Sequence, residues 1–150
     1  MTYYLSLGAN TGKREETIRK AIQMIEEQIG AVPCCSSFYY SEPWGFQSEH
    51  LFCNVCCRLE TALEPIEVLH ATQSIERALG RTHKTVDAHY TDRNIDIDLI
   101  QAFDTEGREI RCQINHDTSQ KSEGCPSLIL PHPLWQERDF VKVPLKEITT

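Results

Sequence analysis

The chain has no apolar run near the ~20 residues that cross a bilayer, so no membrane helix is expected. It is short of positive charge: 15 Lys and Arg against 22 Asp and Glu leave a net charge of −7. General nucleic-acid binding needs a basic footprint, so that class is disfavoured. Met-Thr-Tyr-Tyr-Leu-Ser-Leu puts no basic region ahead of its apolar residues, which predicts no signal peptide and a cytoplasmic protein. The phosphate-cradling pattern G-x-x-x-x-G-K-[ST] is missing. No Ser/His/Asp or Cys/His arrangement stands out for nucleophilic catalysis, and there is no repeat or domain linker.

Cysteine is not scarce. There are 7: Cys34, Cys35, Cys53, Cys56, Cys57, Cys112 and Cys125. An odd count without a secretion signal favours reduced thiols. Cys53-Asn54-Val55-Cys56 has C-x-x-C spacing but no second pair at zinc-finger distance. On a strand the two would face opposite sides of a sheet, so ordinary buried thiols are expected.

The most telling stretch is Arg93-Asn94-Ile95-Asp96-Ile97-Asp98-Leu99-Ile100. Side chains two apart on a strand share a face. Asp96 and Asp98 then point one way, and Ile95, Ile97 and Leu99 point into a core. Their Cα atoms would lie roughly 6.7 Å apart, close enough for the carboxylates to hold one or two divalent cations. The plainer alternative is a solvated edge strand. Magnesium suits such a pair better than zinc, which prefers nitrogen and sulfur. Glu76 is a further acid, read as a cap, an ion-pair partner or a sugar-hydroxyl ligand.

Cations gather against the overall field: Arg77, Arg81, His83, Lys84, His89 and Arg93, then His132 and Arg138. Guanidinium forks grip phosphate oxygens at fixed geometry. Converging on an acid-flanked cleft, they would bind a metal–triphosphate; otherwise they are scattered surface charges. Ser41, Pro43, Trp44, Phe52 and Asn54, with Phe140 opposite, could hold a flat heterocycle, or could simply be core.

At 150 residues the chain suits one domain, 1–150. Strands are predicted over about 3–8, 32–41, 51–60 and 94–103, and helices over about 14–29 and from Pro65 to Gly80. A short return strand is expected near 109–111. Residues 112–125 read as irregular and mobile, within an irregular insertion at about 104–127. A short helix through about Glu137 and a closing strand at about Phe140–Val143 end the chain. The order βαββαβ predicts an α+β, ferredoxin-like sandwich, mainly antiparallel, with helices packed on the sheet and extra C-terminal elements.

Taken together, these residues resemble the 6-hydroxymethyl-7,8-dihydropterin pyrophosphokinases of folate biosynthesis. The likeness runs nearly end to end. It includes L-G-A-N-T-G-K-R at 7–14, S-x-P-x-G at 41–45, F-x-N at 52–54 and I-E-x-x-L-G-R at 75–81. It continues with R-x-x-D-I-D-L-I at 93–100, then L-P-H-P and R-x-F-V-x-x-P-L within 130–145. The resemblance implies transfer of pyrophosphate from ATP to the pterin hydroxymethyl group, releasing AMP. It implies two Mg2+ ions on Asp96 and Asp98, and a catalytic set of Arg81, Arg93, Asp96 and Asp98. ATP would be held by Gln73, Glu76, Arg81, His83, Arg93, Leu99, His132 and Arg138. The pterin would meet Ser41, Pro43, Trp44, Phe52, Asn54 and Phe140. Partners would be these small molecules, with no nucleic acid, no membrane, and a monomer or weak dimer. The chain departs from the family's pattern at Thr91-Asp92, His83, Ser41 and Tyr90, and in the length of 104–127. A non-catalytic ligand-binding module and an RNA-binding ferredoxin-like domain are the rival classes.

Overall fold

The computed structural model describes residues 1–10, 13–41, 52–80, 95–114 and 128–149. Strand β1 (Thr2–Ala9) is central. Its odd residues Tyr3, Leu5 and Leu7 are fully buried, as alternation in a pleated strand requires. Burying each leucine contributes about 1.5–3 kcal/mol. β4 (Phe52–Glu60) and β5 (Asp96–Phe103) pair antiparallel on its two sides. β2 (Ala31–Cys35) and β3 (Tyr39–Ser41) both pair with β4, giving the order β2-β4-β1-β5 with β3 beside β4. Helices α1 (Arg14–Gln28) and α2 (Pro65–Gly80) cover one face through Ile18, Ala21, Ile25, Val68 and Ile75. This is the expected ferredoxin-like α+β arrangement, with β3 as an addition.

The other face is covered by α3 (Asp139–Thr149), whose Val141 and Leu145 pack on Cys56 and Ile100. A strand was expected at Phe140–Val143, and the structure corrects it. Phe140, Val141, Pro144, Leu145 and Ile148 recur at helical spacing, and all but Pro144 join this second cluster. Locally, the two valines flanking Lys142 favour a strand, and a proline disfavours a helix interior. The buried face of the sheet decides otherwise, and the Pro144 ring is itself buried within the helix. Among the described residues no helix is long and apolar enough to cross a membrane.

Two further differences are local. The expected strand over 32–41 is broken between Cys35 and Tyr39. There Ser36 Oγ, rather than a main-chain carbonyl, accepts the Cys56 N–H at 3.0 Å. Ser37 turns away to donate its N–H and hydroxyl to the Glu147 carboxylate of α3, at 2.8 and 2.7 Å. Near 109–111 only a single bridge forms, Phe103 to Glu109. The next strand, β6 (Cys112–Ile114), pairs with β7 (Leu128–Leu130) in a separate two-stranded sheet and does not return onto β5. The irregular reading of 112–125 is thus corrected at 112–114, where a three-residue strand is too short to show a period. Residues 115–127 lie outside the described residues.

Candidate active site

The face under α3 carries most of the described predicted residues, and strand register puts them there. Gly8 of β1 pairs with Asn54 on one side and Asp96 on the other. Ser6 pairs with Cys56 and Asp98 in the same way. Paired residues share a face, so Asn54, Ser6, Asp96 and Asp98 lie on one surface across three strands. Ile95, Ile97 and Leu99 point to the opposite side, at 6%, 4% and 3% exposure. The half-exposed acids and buried aliphatics therefore alternate as the sequence suggested.

The register between β1 and β5 shifts after Leu99: Leu5 pairs with Leu99, but Tyr4 pairs with Gln101. Ile100 is the extra residue of a bulge. The bulge keeps the acids in phase below it while Ala102 returns to the helix-side core above it.

At the β4 end the surface is neutral and closely fitted. Asn54 is 4% exposed and donates Nδ2–H to Ser41 Oγ at 2.8 Å and to Tyr39 O at 3.4 Å. Gly8 leaves room for this amide: a Cβ there would stand 2.8 Å from Asn54 Oδ1 and 3.7 Å from Phe52 Cδ1. The Phe52 ring thus borders the Gly8 gap, next to the Asn54 amide.

At the β5 end the surface is acidic. β5 is a sheet edge, and the Glu76 carboxylate of α2 accepts the Ile97 N–H there at 2.9 Å. Burial, and then the charge and hydrogen bond of Asp96, push the Glu76 carboxyl up to about 7. Gln73 lies one turn earlier on the same helix, half-buried. Leu99 belongs to the helix-side core, so only its main chain, on the edge strand, remains to meet a ligand.

The segment after β7 crosses from this edge to α3. The Leu130–Pro131 peptide is cis, and His132 N donates to Ile100 O at 2.9 Å. His132 Nδ1 accepts the Leu134 N–H at 3.1 Å, which assigns the neutral ring's proton to Nε2. Burial, then the Arg138 charge, hold His132 below its ordinary value, while Asp96 opposes them. A neutral imidazole with an Nε2–H donor lies within electrostatic reach of an acid and a guanidinium. The Arg138 Cζ stands 5.6 Å from the Phe140 ring centroid, which orients it over the aromatic.

A family model for 7,8-dihydro-6-hydroxymethylpterin-pyrophosphokinase matches residues 4–150. The chain belongs to this family. It is 41% identical over 145 residues to the 2-amino-4-hydroxy-6-hydroxymethyldihydropteridine pyrophosphokinase of Porphyromonas gingivalis, covering 97% of this chain and 88% of that one. The Bacillus subtilis protein of the same name is 35% identical over 146 residues, covering 97% and 76%. Among solved structures, a chain of HPPK-DHPS in complex with substrates superposes with a TM-score of 0.63 at 16% identity. That match covers 98% of this chain and 40% of the other, and bears on the fold alone.

For this pyrophosphokinase chain the structure gathers Ser41, Phe52, Asn54, Asp96, Asp98, His132, Arg138 and Phe140 around one face, with Glu76 and Gln73 at its edge. Pro43, Trp44, Arg81, His83 and Arg93 lie outside the described residues. Ser6, 6% exposed between Cys56 and Asp98, was not singled out from sequence. Alternation in Tyr4-Leu5-Ser6-Leu7-Gly8 was enough to place it on the acid face. A cavity of about 620 Å3 lies further along that face, lined by Tyr4, Gln101, Phe103, Trp135 and Lys142 among others, and includes none of the predicted site residues.

Proposed function

We propose that this chain transfers the β,γ-pyrophosphoryl group of ATP to the hydroxymethyl oxygen of 6-hydroxymethyl-7,8-dihydropterin, releasing AMP. Membership of the pyrophosphokinase family supports the reaction class and the pterin acceptor. The observation that carries the finer reading is the shared face: a neutral amide-and-aromatic end on β4 beside a carboxylate pair on β5.

The roles follow from chemistry. Asn54, locked by Ser41, offers amide donors and acceptors to the pterin edge. Phe52 and Phe140 wall the flat ring, with Pro43 and Trp44 assigned there from sequence. Arg81, Arg93, His83, His132 and Arg138 meet the phosphates, and Gln73, Glu76 and the Leu99 main chain meet the adenosine end. Asp96 and Asp98 supply two hard oxygen donors on one face, a set that fits Mg2+ completed by substrate phosphates. Among the described residues no group of three or more His, Cys, Asp or Glu forms a closed metal cage. Bound there, Mg2+ would neutralise triphosphate charge and orient the phosphates.

Transfer of this kind asks for in-line positioning and neutralised charge rather than a strong nucleophile. The hydroxymethyl oxygen forms the new O–P bond while the bond between the α- and β-phosphates breaks and AMP leaves. The hydroxyl proton passes to a carboxylate such as Asp98 or to water. The test is product analysis with dihydropterin, ATP and Mg2+. AMP and the pterin diphosphate are expected in equal amounts. Release of ADP, or no pterin-dependent release at all, overturns the reading.

A further inference from the structure

Away from this site, Cys35 ends β2 and stands directly opposite Cys57 of β4. The adjoining pair is hydrogen-bonded, with Ser36 N donating to Cys56 O at 2.8 Å. Positions alternate in an antiparallel ladder, so Cys35 and Cys57 occupy a non-hydrogen-bonded position, where Cα atoms approach to about 4.5 Å. Disulfides span Cα separations of about 4.4–6.8 Å. The other cysteines of the main sheet lack such a partner in register: Cys34 faces Arg58, Cys53 faces Ala9 and Tyr40, and Cys56 faces Ser6.

The two sulfurs are unlike. Cys35 is exposed on the sheet edge, while Cys57 is fully buried. Interaction with Cys57 holds the Cys35 thiol below its ordinary value, while interaction with Cys35, then burial, pushes Cys57 well up. Thiolate therefore forms first on the sulfur that a reagent can reach.

We propose that Cys35 and Cys57 are a reversible thiol–disulfide pair whose oxidant is a small-molecule disulfide such as oxidised glutathione. The Cys35 thiolate attacks one sulfur of the reagent, forming a mixed disulfide and expelling one thiolate. Cys57 loses its proton to that thiolate, attacks Cys35 and expels the second glutathione thiolate, which takes a proton from solvent. Two protein thiols are oxidised and one disulfide is reduced to two thiols. The bridge ties the two ends of the segment that carries Ser41, Phe52 and Asn54. Its effect on the pterin end, though not the bridge itself, rests on the function proposed above.

The reduced full chain is treated with oxidised glutathione and digested without reductant, with fragment spectra that separate Cys34 from Cys35 and Cys56 from Cys57. The main product should join Cys35 to Cys57 and revert with dithiothreitol. Cys35→Ser, an exposed substitution, should lose that link and leave Cys57 unmodified. Cys57→Ala should retain glutathione on Cys35; if this buried substitution unfolds the chain, Cys35→Ser decides alone. A stable adduct on Cys35 in the unsubstituted chain, or links spread over Cys34, Cys112 and Cys125, overturns the pair. In the linked chain the KM for dihydropterin should shift severalfold while that for ATP does not. An unchanged pterin KM in fully linked protein overturns the coupling to the site. Peptide mapping needs no turnover, so a failed activity reading leaves it intact.

Discussion

The two ends of the α3-side surface are built on opposite principles. The β4 end is finished without a ligand: Asn54 is buried, its amide is bonded to Ser41, and Gly8 makes the space. The β5 end gathers like charges, and Glu76 is driven towards its neutral form by burial and by Asp96. A neutral, hydrogen-bonded surface can recognise a heterocycle with little rearrangement. Neighbouring acids cost the free protein stability, and a bound cation or a proton on Glu76 lowers that cost. The first end is organised for shape, the second for charge.

The largest expected effect comes from removing charge at β5. Asp96→Asn and Asp98→Asn keep the size of each side chain and one acceptor oxygen while removing the charge. Each should lower AMP release by about 100–1,000-fold, the loss typical of a deleted group that stabilises transition-state charge. Near-normal turnover in either variant would remove the metal role. A large drop in melting temperature would show the pair to be structural.

The β4 end should respond differently, through substrate affinity. Gly8→Ala puts a methyl 2.8 Å from Asn54 Oδ1, with Phe52 at 3.7 Å behind it. The amide must turn, and the bond to Ser41 is lost. A misplaced hydrogen bond of this kind costs about 0.5–1.5 kcal/mol, so the KM for dihydropterin should rise about 2–12-fold. The KM for ATP should not change. An equal rise for both substrates would mean that the two ends are not separate.

The sequence showed one end more clearly than the other. The acid strand was legible because period-2 alternation over Ile95–Leu99 admits one orientation, and the buried aliphatics fix it. Cys53 and Cys56 were placed on opposite faces by the same argument, and they fall in the two different core clusters. Helix α2 was legible from Pro65 and Gly80 at its ends. The bulge at Ile100 was not, since it depends on how β1 pairs with β5 rather than on any local residue. Helix α3 was misread because its stability comes from packing on the sheet, which outweighs the local signals of two valines and Pro144. The Asn54–Ser41 bond and the Glu76–Ile97 bond both join residues distant in sequence. Asn54 was named for a flat-ring pocket because its amide both donates and accepts, but only the structure supplies its lock.

The last effect, with no change of activity required, is on stability against pH, and it tests whether the β5 end is electrostatically costly. The Glu76 carboxyl rises from 4.5 to about 7 on folding, chiefly through burial. Between those values the folded chain binds more protons at this site than the unfolded chain, so the site favours folding as pH falls. Its contribution is greatest below about 4.5 and is lost as pH rises towards 7. Glu76→Gln can still accept the Ile97 N–H and donate to Asp96, so it mimics the protonated form at every pH. Without metal, the parent should gain stability relative to Glu76→Gln as pH falls from about 7 to about 5, and the two curves should run parallel above that range. Glu76→Leu should lack this pH dependence and lie about 1–3 kcal/mol below Glu76→Gln, because the edge N–H of Ile97 is left without its partner. Thermal melts across pH, compared between parent and variants, measure both. Parallel parent and Glu76→Gln curves throughout would mean that Glu76 remains ionised in the folded protein, and that the acidic end carries no stored repulsion.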